Sequence, residues 1–378
     1  MQTYKRFDLE IESGKGCYVT AANGQNYLDF TSGIGVLSLG HCHPKVVAAI
    51  KKQASKLIHT SNLFQTAPQA ELAHLLLVKS GFKRAFFCNS GTEAVEAAIK
   101  LIRKYARDRH GTKRQKIVTL TGSFHGRSMG ALSATGQPDM HKNFAPMLSG
   151  FEYVPPNNLE HLKKALLGGG VAGFMVEFVQ GEGGVNVLER DYIAAAQKMC
   201  REEDIIFAAD EVQTGIARTG EFLAATHFAA RPDMVCLAKG LGGGLPIGAL
   251  VVNRKLENVF GAGDHASTFG GNPLTCAVAT EVVSTVSDTK FLKKVAENGK
   301  FMRSELESMK GVKAVTGLGL MLGIELSGSR EARIIQRRCF KNGLLVLTAK
   351  EKIRLLPPLT ATQEELSAGL EILRNSLG

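Results

Sequence analysis

The chain has no tryptophan, only 7% aromatic residues, and seven cysteines without a CxxC pair. An odd number of cysteines scattered through apolar stretches excludes a disulfide-stapled framework and predicts reduced thiols in a cytoplasmic setting. No apolar run approaches the ~20 residues that a membrane-crossing helix needs. Residues 1–12 lack the apolar core of a signal peptide. No membrane partner is therefore expected. His41, Cys42 and His43 are consecutive, but they stand on a turn into Pro44 where neighbouring side chains diverge. With no further ligand cluster, they predict a turn and no metal.

Charge is the next thing to explain. The 378 residues carry a formal net charge of +11, which first suggests nucleic acid. The densest basic stretch, 103–116, holds no aromatic residue besides Tyr105 and closes a helical pattern. A helix C-terminus favours cations through its dipole, so a solvated helix end is the expectation, with no nucleic-acid partner. The excess positive charge suits anionic substrates. A basic, non-catalytic binding protein is the competing class of function. The length is ample for two domains with a large core.

Helical and strand patterns alternate through the middle. Helices are predicted over 43–60, 90–107 and 190–203. Strands are predicted over 84–88, 116–121, 172–179, 205–209, 233–238 and 247–252. Apolar, non-alternating strands separated by helices predict a mainly parallel sheet covered on both faces. After about residue 273 the texture changes to helices over 273–286, 291–309, 329–341 and 362–375, with short strands at 312–315, 320–326, 344–347 and 353–356. That pattern predicts a separate, smaller α/β domain.

Ligands in open α/β sheets bind beyond the carboxyl ends of the strands, and several residues of chemical interest fall there. Ser90-Gly91-Thr92-Glu93 opens a helix, and Ser90 with Glu93 fits a capping box. Free N–H groups, a positive dipole end, a close-approach glycine and a hydroxyl suit a phosphate. Asp210 ends a buried apolar strand, where a carboxylate needs a partner such as a protonated pyridine nitrogen. Lys239 precedes the run Gly240-Leu241-Gly242-Gly243-Gly244, and a buried lysine amine is the standard Schiff-base nucleophile. Phe124 offers a ring face and Arg127 a bidentate fork. Glu182 in a glycine-rich loop, Ser267 and Thr268 in a Gly/Asn-rich loop, and Arg354 before Pro357-Pro358 complete the set. Each has an ordinary alternative: a capped helix, a turn-capping aspartate, a surface lysine, a core phenylalanine, a solvated arginine. Together they match what pyridoxal 5′-phosphate (PLP) and an amino-acid substrate require.

The segments "YLDFTSGIGVLSLGHCHPKV", "FFCNSGTEAVEAAIKL", "SFHGRSMGALSATG", "DEVQTG", "PDMVCLAKGLGGGLPIGA", "STFGGNPL" and "IRLLPPL" resemble, in order and spacing, the class III aminotransferases of PLP fold type I. The resemblance spans nearly the whole chain. It implies a seven-stranded-type, mainly parallel sheet sandwiched by helices, plus a smaller α/β domain. Residues 1–45 would join the small domain, 46–272 would form the PLP-binding domain, and 273–378 the C-terminal small domain. It implies that Lys239 carries the cofactor and moves the proton, and that Asp210 holds the pyridine nitrogen protonated. Phe124 and Val212 would pack on the two ring faces, with Gln213 near the ring hydroxyl. Ser90, Gly91 and Thr92 would take the phosphate, joined by Thr268 of a second subunit, which implies a homodimer with shared active sites. Arg127 would bind a distant substrate carboxylate and Arg354 the α-carboxylate of glutamate. Glu182 would neutralise Arg354 when an ω-amine donor is present.

Within the family the acetylornithine branch is nearest, which implies transfer of the δ-amino group of N2-acetylornithine to 2-oxoglutarate. Ile34, where ornithine-type members carry tyrosine, agrees with that branch. Tyr4 and Ser267 on the substrate side leave ornithine, succinylornithine and 4-aminobutyrate as alternative donors. The sequence departs from the usual pattern at Ser128 (commonly Thr), Ala217 (commonly Gly) and Ala266.

Overall fold

The computed structural model describes residues 1–378. At its centre lies a seven-stranded sheet in the order Arg84–Cys88, Gly248–Val252, Met234–Leu237, Ile206–Asp210, Val171–Val176, Lys116–Leu120, Phe151–Val154. Gly248–Val252 runs antiparallel to both neighbours, and the other strands run parallel.

Pleating explains why these strands are apolar throughout. Phe207, Ala209, Val235 and Leu237 face one buried cluster, while Ile206, Ala208, Met234 and Cys236 face another. The second cluster is completed by Ala94, Ala98 and Ile102 of the helix Gly91–His110. With both faces covered, no polar alternation can survive. Each large aliphatic side chain buried this way contributes roughly 1.5–3 kcal/mol.

Two smaller sheets flank the centre. Ile11–Lys15, Tyr18–Ala21 and Asn26–Asp29 form an antiparallel meander, closed by Leu344–Leu345 running parallel to Asn26–Asp29. The N-terminal strands thus share a sheet with a C-terminal one. Val312–Leu318, Met321–Leu326, Lys352–Leu355 and Leu347–Ala349 make an antiparallel sheet against the helices Thr289–Glu307 and Ala332–Lys341.

Three local differences from the sequence reading have physical causes. The single strand predicted over 172–179 is split into Val171–Val176 and Val179–Gln180. Glu177 stands at the break, and its carboxylate takes backbone N–H groups of two loops. The helix predicted to reach residue 60 ends at Ala54. There the Gln53 side chain donates to the Leu57 carbonyl and turns the chain outward. The helix Ala67–Ser80 escaped notice because its leucines run in succession without a one-sided stripe.

Candidate active site

The carboxyl ends of the parallel strands open onto one cavity of about 410 Å³. Ser90, Gly91, Thr92, Phe124, Arg127, Asp210, Val212, Gln213 and Lys239 all line it.

Asp210 is the last residue of its strand and is buried. Its Oδ1 accepts from the Val212 N–H at 3.1 Å, and its Oδ2 lies 2.8 Å from His125 Nδ1. Burial opposes charging of His125, but the hydrogen bond and charge of Asp210, with Glu177 behind, raise its pKa overall. The ring is therefore placed to donate its Nδ1–H to Asp210 and to fix that carboxylate in position. A buried carboxylate at the end of a strand, held from behind, suits a cationic partner in the cavity.

Lys239 begins the short turn that follows the strand Met234–Leu237. Its φ of +40° lies in the left-handed region, which costs a lysine of order 1–3 kcal/mol. Burial lowers its pKa, and Arg354 adds to the effect against the opposite pull of Glu182 and Asp210. A lysine amine shifted toward its neutral form is a better nucleophile.

The helix Gly91–His110 starts against the cavity. Ser90 Oγ accepts from the Glu93 N–H at 3.3 Å. The capping box is only half formed, because the Glu93 carboxylate turns to the backbone N–H and side-chain amide of Asn89. The N–H groups of Gly91 and Thr92 belong to the first turn, which the helical ladder leaves free. Thr92 Oγ1 is 2.7 Å from Ser128 Oγ, which donates to Glu96 Oε1 at 2.6 Å. A Cβ at Gly91 would lie 2.7 Å from Val212 Cγ1, and one at Gly126 would lie 2.3 Å from Thr92 Oγ1. Only glycine fits either place.

The arginines differ in setting. Arg127 is exposed at the mouth, its guanidinium 5.5 Å from the Phe124 ring centroid. Arg354 is buried, and its Nη1 lies 2.6 Å from Glu182 Oε1 and 3.1 Å from Gln213 Oε1. The Arg354 Nε has no partner. Gln213 therefore spends its oxygen on Arg354 while lining the cavity. Glu182 stays partly exposed while Arg354 is buried, so removing Glu182 would leave the Arg354 charge uncompensated.

Five predicted residues do not line the cavity: Arg354, with Glu182 bound to it, reaches it only through Gln213, Ser267 only through Asn89, and Thr268 and Tyr4 lie apart from it. Thr268 is exposed on the loop whose Ser267 Oγ accepts from Asn89 at 3.2 Å. Tyr4 is 78% exposed, beside Phe340 and Leu345 at a separate cavity. Conversely, His125, Glu177, Glu211 and Arg218 went unmarked in the sequence. Glu177 lines the cavity, and burial together with Asp210 pushes its carboxyl up to about 7 against the pull of His125. Glu211 is fully buried and accepts from the Ala224 and Ala225 N–H groups. Arg218, also fully buried, ties the Leu320 and Pro357 carbonyls together. A charged residue inside an apolar run, as in "FMVEFVQ", was the available hint for Glu177.

An anion for a ring nitrogen, a lysine amine, a free helix start for a phosphate and an aromatic face share one cavity, and this donor set fits PLP. A model of the aminotransferase class-III family matches residues 2–377. The chain is 46% identical to an acetylornithine aminotransferase of Haemophilus ducreyi, covering 100% of this chain and 95% of that one. It is 47% identical to one of Caldanaerobacter subterraneus, covering 100% and 96%. Among solved structures it resembles N-acetylornithine aminotransferase of Stenotrophomonas maltophilia, with TM-score 0.86 and 36% identity over 99% of this chain and 97% of that one. It also resembles ornithine aminotransferase of Toxoplasma gondii, with TM-score 0.94 and 34% identity over 100% and 92%.

Proposed function

The chain belongs to the class-III aminotransferases and is a PLP-dependent transaminase, and from that premise we propose that it moves the δ-amino group of N2-acetyl-L-ornithine to 2-oxoglutarate. The products are N-acetylglutamate 5-semialdehyde and L-glutamate, a step of arginine biosynthesis. The observation that carries the reading is the convergence of Lys239, Asp210 and the free helix start at Gly91 on one cavity.

PLP, when bound, supplies an aldehyde that links to amines and a protonated pyridine ring that draws electrons from the donor carbon. Lys239 would hold the cofactor through its amine and, as the free amine, would carry a proton from the donor carbon to the cofactor. Asp210, fixed by His125, would hold the ring nitrogen of a bound cofactor protonated. Gly91 and Thr92 offer backbone N–H groups and a hydroxyl to the phosphate, with Ser90 fixing the helix start. Phe124 and Val212 would pack against the ring of a bound cofactor, and Gln213 would lie near its hydroxyl.

The substrate reading rests on the two arginines. An ω-amine donor places its α-carboxylate far from the reacting nitrogen, and Arg127 at the mouth suits that distance. Glutamate adds a carboxylate next to the reacting nitrogen, which Arg354 meets once Glu182 yields. The 2.6 Å contact between Glu182 and Arg354 fits the neutralised state, ready for the ω-amine donor. The curated relatives named for acetylornithine support that donor.

The same proposal includes a homodimer. Leu63, Phe64 and Phe269 are large, exposed apolar residues. Asn62 binds the Ser267 and Gly270 carbonyls, which joins their two loops into one patch. A second subunit covering that patch would bring Thr268 toward the partner's phosphate site, with Ser267 beside it, and would give Tyr4 a route to a substrate. The division into 1–45 with 273–378 as the small domain and 46–272 as the PLP-binding domain, and a cytoplasmic location, belong to this reading as well. No helix is long and apolar enough to cross a membrane.

Steady-state kinetics with acetylornithine, ornithine, succinylornithine and 4-aminobutyrate against 2-oxoglutarate test the assignment. Acetylornithine should give the highest kcat/KM. A large preference for any of the other three would overturn it.

A further inference from the structure

Glu177 breaks an apolar run and sits buried at the end of the strand Val171–Val176. Its two oxygens go to different loops. Oε2 accepts from the Phe124 N–H at 2.9 Å, and Oε1 accepts from the Gly181 N–H at 3.3 Å. The first loop carries Phe124 and Arg127. The second carries Glu182, which binds Arg354. Gly181 is pressed so close to Gln213 that a Cβ there would lie 2.5 Å from Gln213 Oε1. Gln213 in turn binds Arg354. One carboxylate therefore spans the two arms on which the substrate's carboxylates depend. No shorter or half-accepting side chain can hold both N–H groups at once.

We infer that Glu177 is a positioning residue that sets the spacing between the Arg127 arm and the Glu182–Arg354 gate, and so sets affinity for substrates carrying distant carboxylates. The inference rests on the transaminase reading above. It concerns a residue whose two oxygens are spent on backbone N–H groups.

The test uses the holoenzyme with Glu177→Gln and Glu177→Asp. Gln keeps the size but can accept only one of the two N–H groups. Asp keeps the charge but is one methylene short, and it carries the test if the Gln variant fails to fold. Losing one charge-assisted hydrogen bond should weaken glutarate binding, read by calorimetry as Kd, by about tenfold. For 2-oxoglutarate, KM should rise by about the same factor, while kcat changes by less than about threefold. Methoxyamine bears no carboxylate and reports only on access to the lysine-held cofactor. Its reaction, followed by the cofactor's visible absorbance, should keep the wild-type rate in Glu177→Asp, which retains the charge behind His125. Unchanged glutarate affinity in both variants would overturn the inference, as would a Glu177→Asp methoxyamine rate that falls in step with affinity. A wild-type protein that binds glutarate but passes no amino group to 2-oxoglutarate would sink the transaminase reading and leave the Glu177 result standing.

Discussion

Lys239 shows how far a single residue can be read from sequence. Lysine before a glycine run at the end of an apolar strand was visible, because burial and backbone access are local properties. Its left-handed φ of +40° was not visible, since nothing in the composition demands it. Asp210 was legible for the same local reason, but its partner His125 is 85 residues away and was not singled out, although it lies inside a recognised segment. Non-local pairing is what a single sequence hides. The residue-scale prediction follows from the lowered pKa of the lysine amine, which burial causes. Lys239→Ala should keep PLP only noncovalently and lower turnover by roughly 10³-fold or more, since both nucleophile and proton carrier are gone. Stopped-flow assay and the visible absorbance of the bound cofactor check it. Wild-type turnover in this variant would end the mechanism.

Elements carry the site through their ends and their loops. The start of Gly91–His110 was legible from Ser90 and the apolar period behind it. The position of the 124–128 loop over it was not, because that depends on Thr92 and Ser128 meeting across 36 residues. Gly126 has φ +138° and no room for a Cβ beside Thr92. Gly126→Ala must push the loop off the helix start, and cofactor affinity, titrated into the cofactor-free protein, should fall by about tenfold or more. Unaltered affinity would show that this loop does not form the phosphate cradle.

A second element-scale prediction concerns the 211–225 loop, which one buried carboxylate holds by the Ala224 and Ala225 N–H groups. Burial pushes the Glu211 carboxyl up to about 7. A carboxyl with its folded pKa above the unfolded value binds more protons in the native state. Its contribution to stability is complete at low pH and is lost as pH rises from the ordinary carboxylate range through about 7. Glu177 contributes in the same direction. Glu211→Gln should therefore flatten, without abolishing, the fall of Tm across that interval. An unchanged slope in calorimetric scans would reject the raised pKa.

At the scale of the whole molecule the sequence told most about the sheet and least about its edges. Apolar strands buried on both faces announce themselves, whereas the joining of Asn26–Asp29 to Leu344–Leu345 crosses more than 300 residues and left no local trace. The same holds for what one chain cannot complete. Thr268 is exposed, outside the cavity of its own chain, and next to Phe269 at 61% exposure. If Thr268 serves the partner's phosphate, two inactive variants should rescue each other. Thr268→Asp sets a carboxylate against the phosphate of the neighbouring site, and Lys239→Ala empties its own site of the nucleophile. In a mixed dimer, one site then has both Lys239 and Thr268 intact. After subunit exchange in an equal mixture, half the dimers are mixed and each holds one good site, so activity should recover to about a quarter of wild type. Were Thr268 to act within its own chain, every site in the mixture would lack one group or the other, and the mixture would stay inactive. Sedimentation of the separate variants as dimers is the control, because the rescue requires that both still assemble.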